Sequence, residues 1–175
     1  MLIAREKRKT NIAEFIIYMY QVEDMVRAAE FDMERVEATI IRQYDQPPEV
    51  MNEIREWYDS LIQAMKKEKI EVKGHLRFIR DLVVDLNNLH LRLAEKKEET
   101  EYRELYRKAK PNIDILRDKA LDPDVSEIEA CLNGIYGYLL MKIRDREISD
   151  DTTKGIETIT HMMAHLSMRF HDEEE

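Results

Sequence analysis

The sequence has a single cysteine, Cys131, among its 175 residues. One cysteine cannot form an intramolecular disulfide, and it is too few for a cysteine-based zinc site. Because disulfides belong mainly to oxidising compartments, this usage favours a reducing one, and we expect the protein to be cytoplasmic. Cys131 lies in an apolar pattern, which is more typical of a small buried hydrophobic residue than of a nucleophile.

Positive charge is scarce relative to negative charge, and the net charge is −9. A surface that binds nucleic acid or an anionic membrane needs a basic face, so we expect neither as a partner. Long hydrophobic runs are missing as well. The apolar stretch 12–22 is interrupted by Glu14 and Gln21, and no segment approaches the ~20 apolar residues of a transmembrane helix.

Familiar catalytic and metal-binding motifs are absent from the sequence. It contains no His-Glu-x-x-His, no Glu-x-x-His and no Gly-rich phosphate-binding loop. Glu157, His161 and His165 are spaced four residues apart, which can bring two imidazoles to one metal ion. These residues fall on the polar face of their predicted helix and lack a third convergent ligand. We therefore expect no metal and no cofactor, and we assign no catalytic residue.

Helix-forming residues are abundant, while glycine and proline occur only four times each. Apolar residues recur at helical spacing, and alternating patterns of useful length do not occur. The sequence therefore predicts an all-α fold: a single-domain bundle of about seven helices over residues 1–171, with a disordered acidic tail at 172–175. We expect the helices to begin near Arg5, Asp32, Pro48, Gly74, Thr100, Asp122 and Ser149.

The segment from Gly74 to Leu93 carries the widest apolar arc of the chain. At about 100° per residue, half of this helix is apolar. The residues of the arc are Phe78, Ile79, Leu82, Val83, Leu86, Leu89 and Leu93. Val84 and Leu91 fall on the opposite, polar side. An arc of this width indicates neighbours on several sides, so we expect the helix to lie at the centre of the bundle.

Two polar residues, Glu23 and His90, fall inside predicted apolar stripes. A carboxyl or imidazole group that is buried needs a hydrogen-bonding partner. If their helices are neighbours, the two groups could bond to each other or to a tyrosine hydroxyl such as that of Tyr18. Two interpretations stay open: a structural hydrogen bond, or the floor of a small ligand-binding pocket formed by these three residues.

The helix predicted to begin at Asp122 has a second face that is small and almost without charge, formed by Ala130, Gly134 and Gly137. Glycine inside a helix costs roughly 1 kcal/mol relative to alanine. The usual reason for accepting that cost is the close approach of another helix, a partner subunit or a ligand. We therefore expect this face to mediate an interaction, with a homodimer as one form of it.

Four segments of the sequence are long and specific: MLIAREKRKTNIAEFIIYMYQVEDMVR, IREWYDSLI, GHL with DLNNLHLRL, and CLNGIYGYLLMKI followed by REIS. Together they resemble an uncharacterised bacterial family, a domain of unknown function, over nearly the whole chain. The resemblance implies an all-helical fold. It supplies no activity, cofactor or catalytic residue.

Two classes of function follow from these observations. The first is a non-enzymatic helical protein whose role is structural or is interaction with itself or with another protein; ten methionines, which adapt well to partner surfaces, favour it. The second is a small-molecule binder or enzyme with a polar pocket around Glu23 and His90.

Overall fold

A computed structural model describes residues 2–174, which form eight α-helices and one short 3-10 helix and no β-strand. The all-α prediction is confirmed, with one helix more than the seven expected. The helices are α1 (Leu2–Thr10), α2 (Ile12–Ala28), α3 (Met33–Thr39), α4 (Pro48–Lys67), α5 (Arg77–Glu95), α6 (Thr100–Asp118), α7 (Glu127–Ile143) and α8 (Asp150–Glu174), with the 3-10 helix at Ile41–Gln43. Within this described range, no helix is both long and apolar enough to cross a membrane.

The additional helix arises at Asn11, where the single helix predicted from Arg5 to Ala29 is interrupted. The Asn11 side-chain oxygen accepts a hydrogen bond from the backbone N–H of Glu14 at 3.1 Å, as an N-cap residue does. The backbone N–H of Ala13 donates to Ser167 Oγ at 3.2 Å, across 154 residues of sequence. These two acceptors satisfy N–H groups that the start of α2 would otherwise leave without partners.

The chain divides into two compact units. The larger part of the first unit is Tyr18–Asp81, and the second unit combines Lys7–Ile17 with the chain from Leu82 onward. In the first unit α3 packs on α4, and Arg55 joins the two helices through a bidentate pair with Glu37 at 2.8 and 2.9 Å. The buried side chains of α4 are Ile54, Tyr58, Leu61, Ile62 and Met65.

In the second unit α6 packs against both α8 and α7. The Asn112 side-chain amide donates to Thr158 Oγ1 at 3.0 Å and so connects α6 to α8. α6 continues through Pro111 as one helix from Thr100 to Asp118.

The apolar arc predicted for α5 is buried, with one exception. Ile79, Leu82, Val83, Leu86, Leu89 and Leu93 are buried, whereas Val84 and Leu91 are exposed, as expected. Phe78 was predicted to belong to the arc, and the structure corrects this, since the side chain is 41% exposed. The neighbouring Ile79 is fully buried, so the interior face is already covered at this height. At 100° per residue Phe78 falls at the edge of the arc, which leaves its side chain partly in solvent.

Helix ends follow local capping residues. Asp32 caps α3 by accepting from the N–H of Glu34 at 2.8 Å, as predicted. The start predicted at Asp122 is wrong: Ser126 caps α7 instead, by accepting from the N–H of Glu129 at 3.1 Å. Asp122 uses its carboxyl group to close a turn on the N–H of Asp124, which removes it from the helix.

The last helix, α8, runs to Glu174 and therefore extends into the segment for which we predicted a disordered tail, 172–175. Glu175 lies outside the described residues. A single domain over residues 1–171 with a disordered tail stays a prediction.

Candidate functional site

Glu23 lies on α2 in the first unit and is fully buried, as its place in an apolar stripe predicted. One carboxyl oxygen accepts the backbone N–H of Leu76 at 2.9 Å, and the other lies 2.5 Å from His75 Nδ1. The N–H of Leu76 immediately precedes α5 and has no partner within that helix. Glu23 therefore caps the start of α5 from a distant position in the sequence.

The loop before α5 is held to α2 by further contacts. Arg27 donates to the backbone carbonyls of Ile70, at 3.2 Å, and of Gly74. Gly74 has a φ of +94°, a conformation that other residues adopt only with strain. The His75 ring stacks on the Tyr20 ring with 3.7 Å between centroids. This part of the molecule is an ordered junction between α2 and α5.

Tyr18, the third residue of the predicted pocket, belongs to a group of tyrosines in the first unit. Burial raises the pKa of Tyr18, and the neighbouring Tyr44 adds to the effect. Burial likewise raises the pKa of Tyr58, whose side chain is fully enclosed. These hydroxyl groups therefore stay protonated at neutral pH and can donate hydrogen bonds, but they are not activated as nucleophiles.

His90 lies on α5 in the second unit and is buried, as predicted. Its Nδ1 is 2.7 Å from the Tyr102 hydroxyl of α6. Its Nε2 is 3.4 Å from Glu127 Oε2 of α7, close enough for an ion pair but not aligned as a hydrogen bond. The Tyr106 ring meets the imidazole edge-on at 4.8 Å. Both ring nitrogens thus face protein groups, one from each neighbouring helix.

Glu127 is the electrostatic centre of this network. The His90 imidazole lowers the pKa of Glu127 to about 2; the Tyr106 hydroxyl and the positive charge of Lys110 act in the same direction, while burial opposes them. Lys110 Nζ and Arg117 Nη1 lie 3.5 and 3.9 Å from Glu127 Oε1. The carboxylate is therefore negatively charged at neutral pH and is surrounded by donors and cations.

The groups beside this carboxylate are poor nucleophiles. Burial raises the pKa of Tyr102, and the nearby Cys131 adds to the effect. Burial, followed by the negative charge of Glu127, also raises the pKa of Cys131. The thiol and the phenol are protonated and enclosed, which is the opposite of the exposed, deprotonated state that nucleophilic chemistry requires. The arrangement suits a structural connection among three helices, in which a hydrogen bond joins α5 to α6 and ion-pair contacts of Glu127 join α7 to both.

A groove of about 740 Å³ runs along α6 beside this network. Its lining is Ala94, Thr100, Arg103, Glu104, Tyr106, Arg107, Lys110, Pro111 and Asp114. Most of its charges are already paired along the helix: Arg107 bonds to Glu104 at 2.8 and 2.9 Å, and Lys110 pairs with Asp114. Three cationic and two anionic side chains line the groove, so after these pairings Arg103 is the one cation of the lining left over.

The small face predicted on α7 has three different environments. Ala130 is buried. Gly134 packs against Leu116 of α6, and a Cβ added at Gly134 would lie 2.5 Å from Leu116 Cδ1. A Cβ added at Gly137 would meet no described atom within 4 Å. The close contact within the chain thus explains Gly134 and leaves Gly137 without an explanation from the fold of a single chain.

The second half of α7 is apolar around its whole circumference but is not enclosed. Residues 134–141 have the sequence GIYGYLLM and carry no charge. Residues 134–140 are each half-buried, whereas Met141 and Ile143 are 37% and 60% exposed. A helix that is apolar on all sides is normally buried on all sides. Residues 134–141 are therefore more exposed than their apolar composition predicts.

Of the two histidines considered for a metal site, His165 adjoins the His90 network, since its ring centroid lies 5.8 Å from that of Tyr102. His161 is exposed, whereas His165 is mostly buried and lies 3.7 Å from Glu101, so the prediction that both face solvent is wrong for His165. No group of three or more His, Cys, Asp or Glu residues within residues 2–174 is arranged to hold a metal ion.

The sequence predicted that Glu23 and His90 face the interior, and both are buried. It missed their main neighbours, His75, Tyr102 and Glu127. That Glu23, His90 and Tyr18 form a ligand site stays a prediction. Tyr102 gave a signal, because it lies on the apolar face of its helix. Glu127 gave none, since a glutamate in a first helical turn is ordinary.

Comparison with known proteins identifies the family. A family model described as a domain of unknown function, DUF4924, matches residues 1–175. The chain belongs to the DUF4924 family. No curated protein and no protein of solved structure matches it.

For this DUF4924 protein we predict that Glu127 makes the stability of the fold pH-dependent. The pKa of Glu127 is about 2 in the folded chain, against 4.5 for an unperturbed glutamate. Its stabilising contribution is therefore complete above pH ~4.5 and is lost as the pH falls towards 2, because the unfolded state takes up the proton first. Glu127→Gln should lower the urea midpoint at pH 7 and lower it much less at pH 3.

Glu104→Gln is the matched control for this DUF4924 protein. Arg107 lowers the pKa of Glu104 to about 2 as well, but Glu104 is exposed and its ion pair is screened by solvent. Its midpoints should stay close to those of the wild type at both pH values. Equal losses at pH 7 and pH 3 for Glu127→Gln would contradict the assignment.

Proposed function

We propose that this chain is a non-catalytic helical protein, folded as a single-domain bundle, that acts by binding protein through the second half of α7. The observation that carries the proposal is the uncharged segment 134–141, which is apolar on every side yet only half-buried at 134–140 and exposed at Met141. We call residues 134–141 together with Ile143 the α7 face.

Burial of apolar surface is the main favourable term in protein association, at roughly 25 cal/mol per Å². Tyr136, Leu139, Leu140, Met141 and Ile143 offer such surface on two successive turns. Tyrosine and methionine are also enriched at interfaces, because they combine large contact area with adaptable geometry. The α7 face has the composition of an interface core, but no other part of the described chain buries it fully.

The polar networks support an interaction role over a small-molecule site. Both ring nitrogens of His90 face protein groups, and Glu23 already accepts from Leu76 and contacts His75. A binding pocket needs polar groups that are free to meet a ligand. The pocket proposed around Glu23, His90 and Tyr18 therefore has weaker support than the α7 face.

Site-specific photocrosslinking in cells tests the proposal. A photoreactive amino acid in place of Met141 on the α7 face should give protein adducts, which mass spectrometry then identifies. The same amino acid in place of Arg103, an exposed position on α6, is the matched control and should give none. Adducts at position 141 with this chain or with another protein support the proposal. If irradiation yields no adduct at position 141, the proposed function is wrong.

A further inference from the structure

We infer that the partner of the α7 face is a second copy of this chain, with the two α7 helices antiparallel across a two-fold axis near Gly137. This inference rests on the proposed function and specifies its partner. An interface of this symmetry uses the same patch on both copies, so the patch must be complementary to itself.

The first observation is the open space at Gly137. Gly134 has a reason within the chain, since Leu116 lies where its side chain would be. At Gly137 no described atom lies within 4 Å of the Cβ position, so an alanine would fit and would favour the helix by about 1 kcal/mol. A glycine there instead lets a second backbone approach more closely than the usual 8–10 Å between helix axes.

The second observation is the composition of the outward side of α7. At 100° per residue, Glu129, Asn133, Gly137, Leu140 and Arg144 fall within one sector of the helix. Glu129, Asn133 and Arg144 are exposed, and Gly137 and Leu140 are half-buried. The sector therefore has an uncharged centre, an acidic residue towards its N-terminal end and a basic residue at its C-terminal end.

The third observation is the spacing of these two charges. Glu129 precedes Gly137 by about 12 Å along the helix, and Arg144 follows Gly137 by about 10 Å. In an antiparallel pair crossing at Gly137, Glu129 of each copy consequently lies opposite Arg144 of the other. A parallel pair would instead place like charges together. Both side chains are exposed, and within the described residues neither has an ion-pair partner, so Glu129 and Arg144 can pair across the interface.

The antiparallel arrangement is also compatible with the net negative charge of each copy. Two copies, each with a net charge of −9, repel one another at long range. The helix sector around Gly137 is uncharged at its centre and carries the two symmetric ion pairs at its margins. Arg146 and Glu147 line the same hollow as Gly137 and Leu140, and because their charges are opposite they add no net charge there. Charge complementarity thus favours a second copy in the antiparallel orientation.

The experiment begins with sedimentation of the full chain over a range of concentrations, which should show a reversible dimer. Gly137→Leu should weaken the dimer at least tenfold. At concentrations where the chain is monomeric it should leave the melting temperature unchanged, because the space at Gly137 is open within one chain. Gly134→Leu is the matched comparison: its side chain would collide with Leu116, so it should lower the melting temperature.

Charge exchange tests the orientation. Glu129→Arg alone and Arg144→Glu alone should each weaken the dimer, because each places like charges opposite one another, and the double variant should restore it. A dimer that is insensitive to Gly137→Leu and to the single charge variants overturns the inference, and so does a double variant that fails to recover. If the wild type is monomeric and position 141 gives adducts with another protein, the partner is not a second copy, but the proposed function is still supported. If the wild type is monomeric and position 141 gives no adducts, the dimer and the proposed function are both wrong.

Discussion

Leu86→Ala is expected to lower the free energy of unfolding by about 2–5 kcal/mol, the range for truncation of a fully buried leucine. Leu86 lies in the middle of α5 and has no solvent-exposed surface. Its truncation removes apolar contacts and leaves a cavity that the surrounding close-packed side chains fill only in part. Urea denaturation followed by circular dichroism at pH 7 measures the change, provided that the slope of the transition stays the same.

Leu91→Ala, on the same helix, is the control. Leu91 is 51% exposed on the side of α5 that the periodicity assigned to solvent. Its loss should change the free energy of unfolding by less than about 0.5 kcal/mol, as for an ordinary surface position. Equal effects of the two substitutions would show that the interior face of α5 has been assigned wrongly.

Much of this fold could be predicted from periodicity, because the direction of a side chain around a helix axis depends only on its position in the sequence. That is why the buried Leu86 and the exposed Leu91 were assigned correctly. Periodicity does not tell how far another element covers the apolar side of a helix. Phe78 belongs to the apolar arc of α5 and is nevertheless 41% exposed. In the C-terminal half of α7, Met141 and Ile143 are likewise apolar and exposed.

Helix boundaries show a second limit of prediction from the sequence, because some of them depend on contacts with distant residues. Capping by Asp32 acts within two residues, so the sequence alone identified it. The break at Asn11 depends partly on Ser167, which accepts the N–H of Ala13 across 154 residues. The bond to Ser167 has no local signal, whereas the Asn11 side chain, which accepts the N–H of Glu14 three residues later, is a local signal that the periodicity did not register. At α7 two local signals competed, and the aspartate at position 122 closed a turn while Ser126 capped the helix.

The candidate site could be predicted only in part, for the same reason. The interior positions of Glu23 and His90 followed from their stripes, because burial follows direction. Their partners depend on which segments meet in space. Glu23 meets the loop before α5, and His90 meets Glu127, whose place in a first helical turn gives no indication of a network. Whether either residue serves a ligand stays a prediction that stability measurements can decide.

Glu23→Ala is expected to lower the free energy of unfolding by roughly 3 kcal/mol. The substitution leaves the Leu76 N–H without its acceptor in a buried position and removes the contact with His75. Removing one partner of a buried polar pair usually lowers the free energy of unfolding by more than the pair contributed, because the remaining group stays buried without a partner. Glu23→Gln should cost less, since its amide oxygen can still accept from Leu76.

A double-mutant cycle with His75→Ala separates a structural role from a functional one. If Glu23 and His75 form a structural connection, their effects should be coupled by about 0.5–3 kcal/mol, because either substitution removes the same contact. A ligand-binding role has a different signature. Glu23→Ala would then leave the stability unchanged or raise it, as happens for functional polar groups held at a cost to the fold, and would abolish ligand-induced thermal stabilisation in a metabolite screen. A stable Glu23→Ala variant would therefore remove the structural account of this residue and return the pocket to first place.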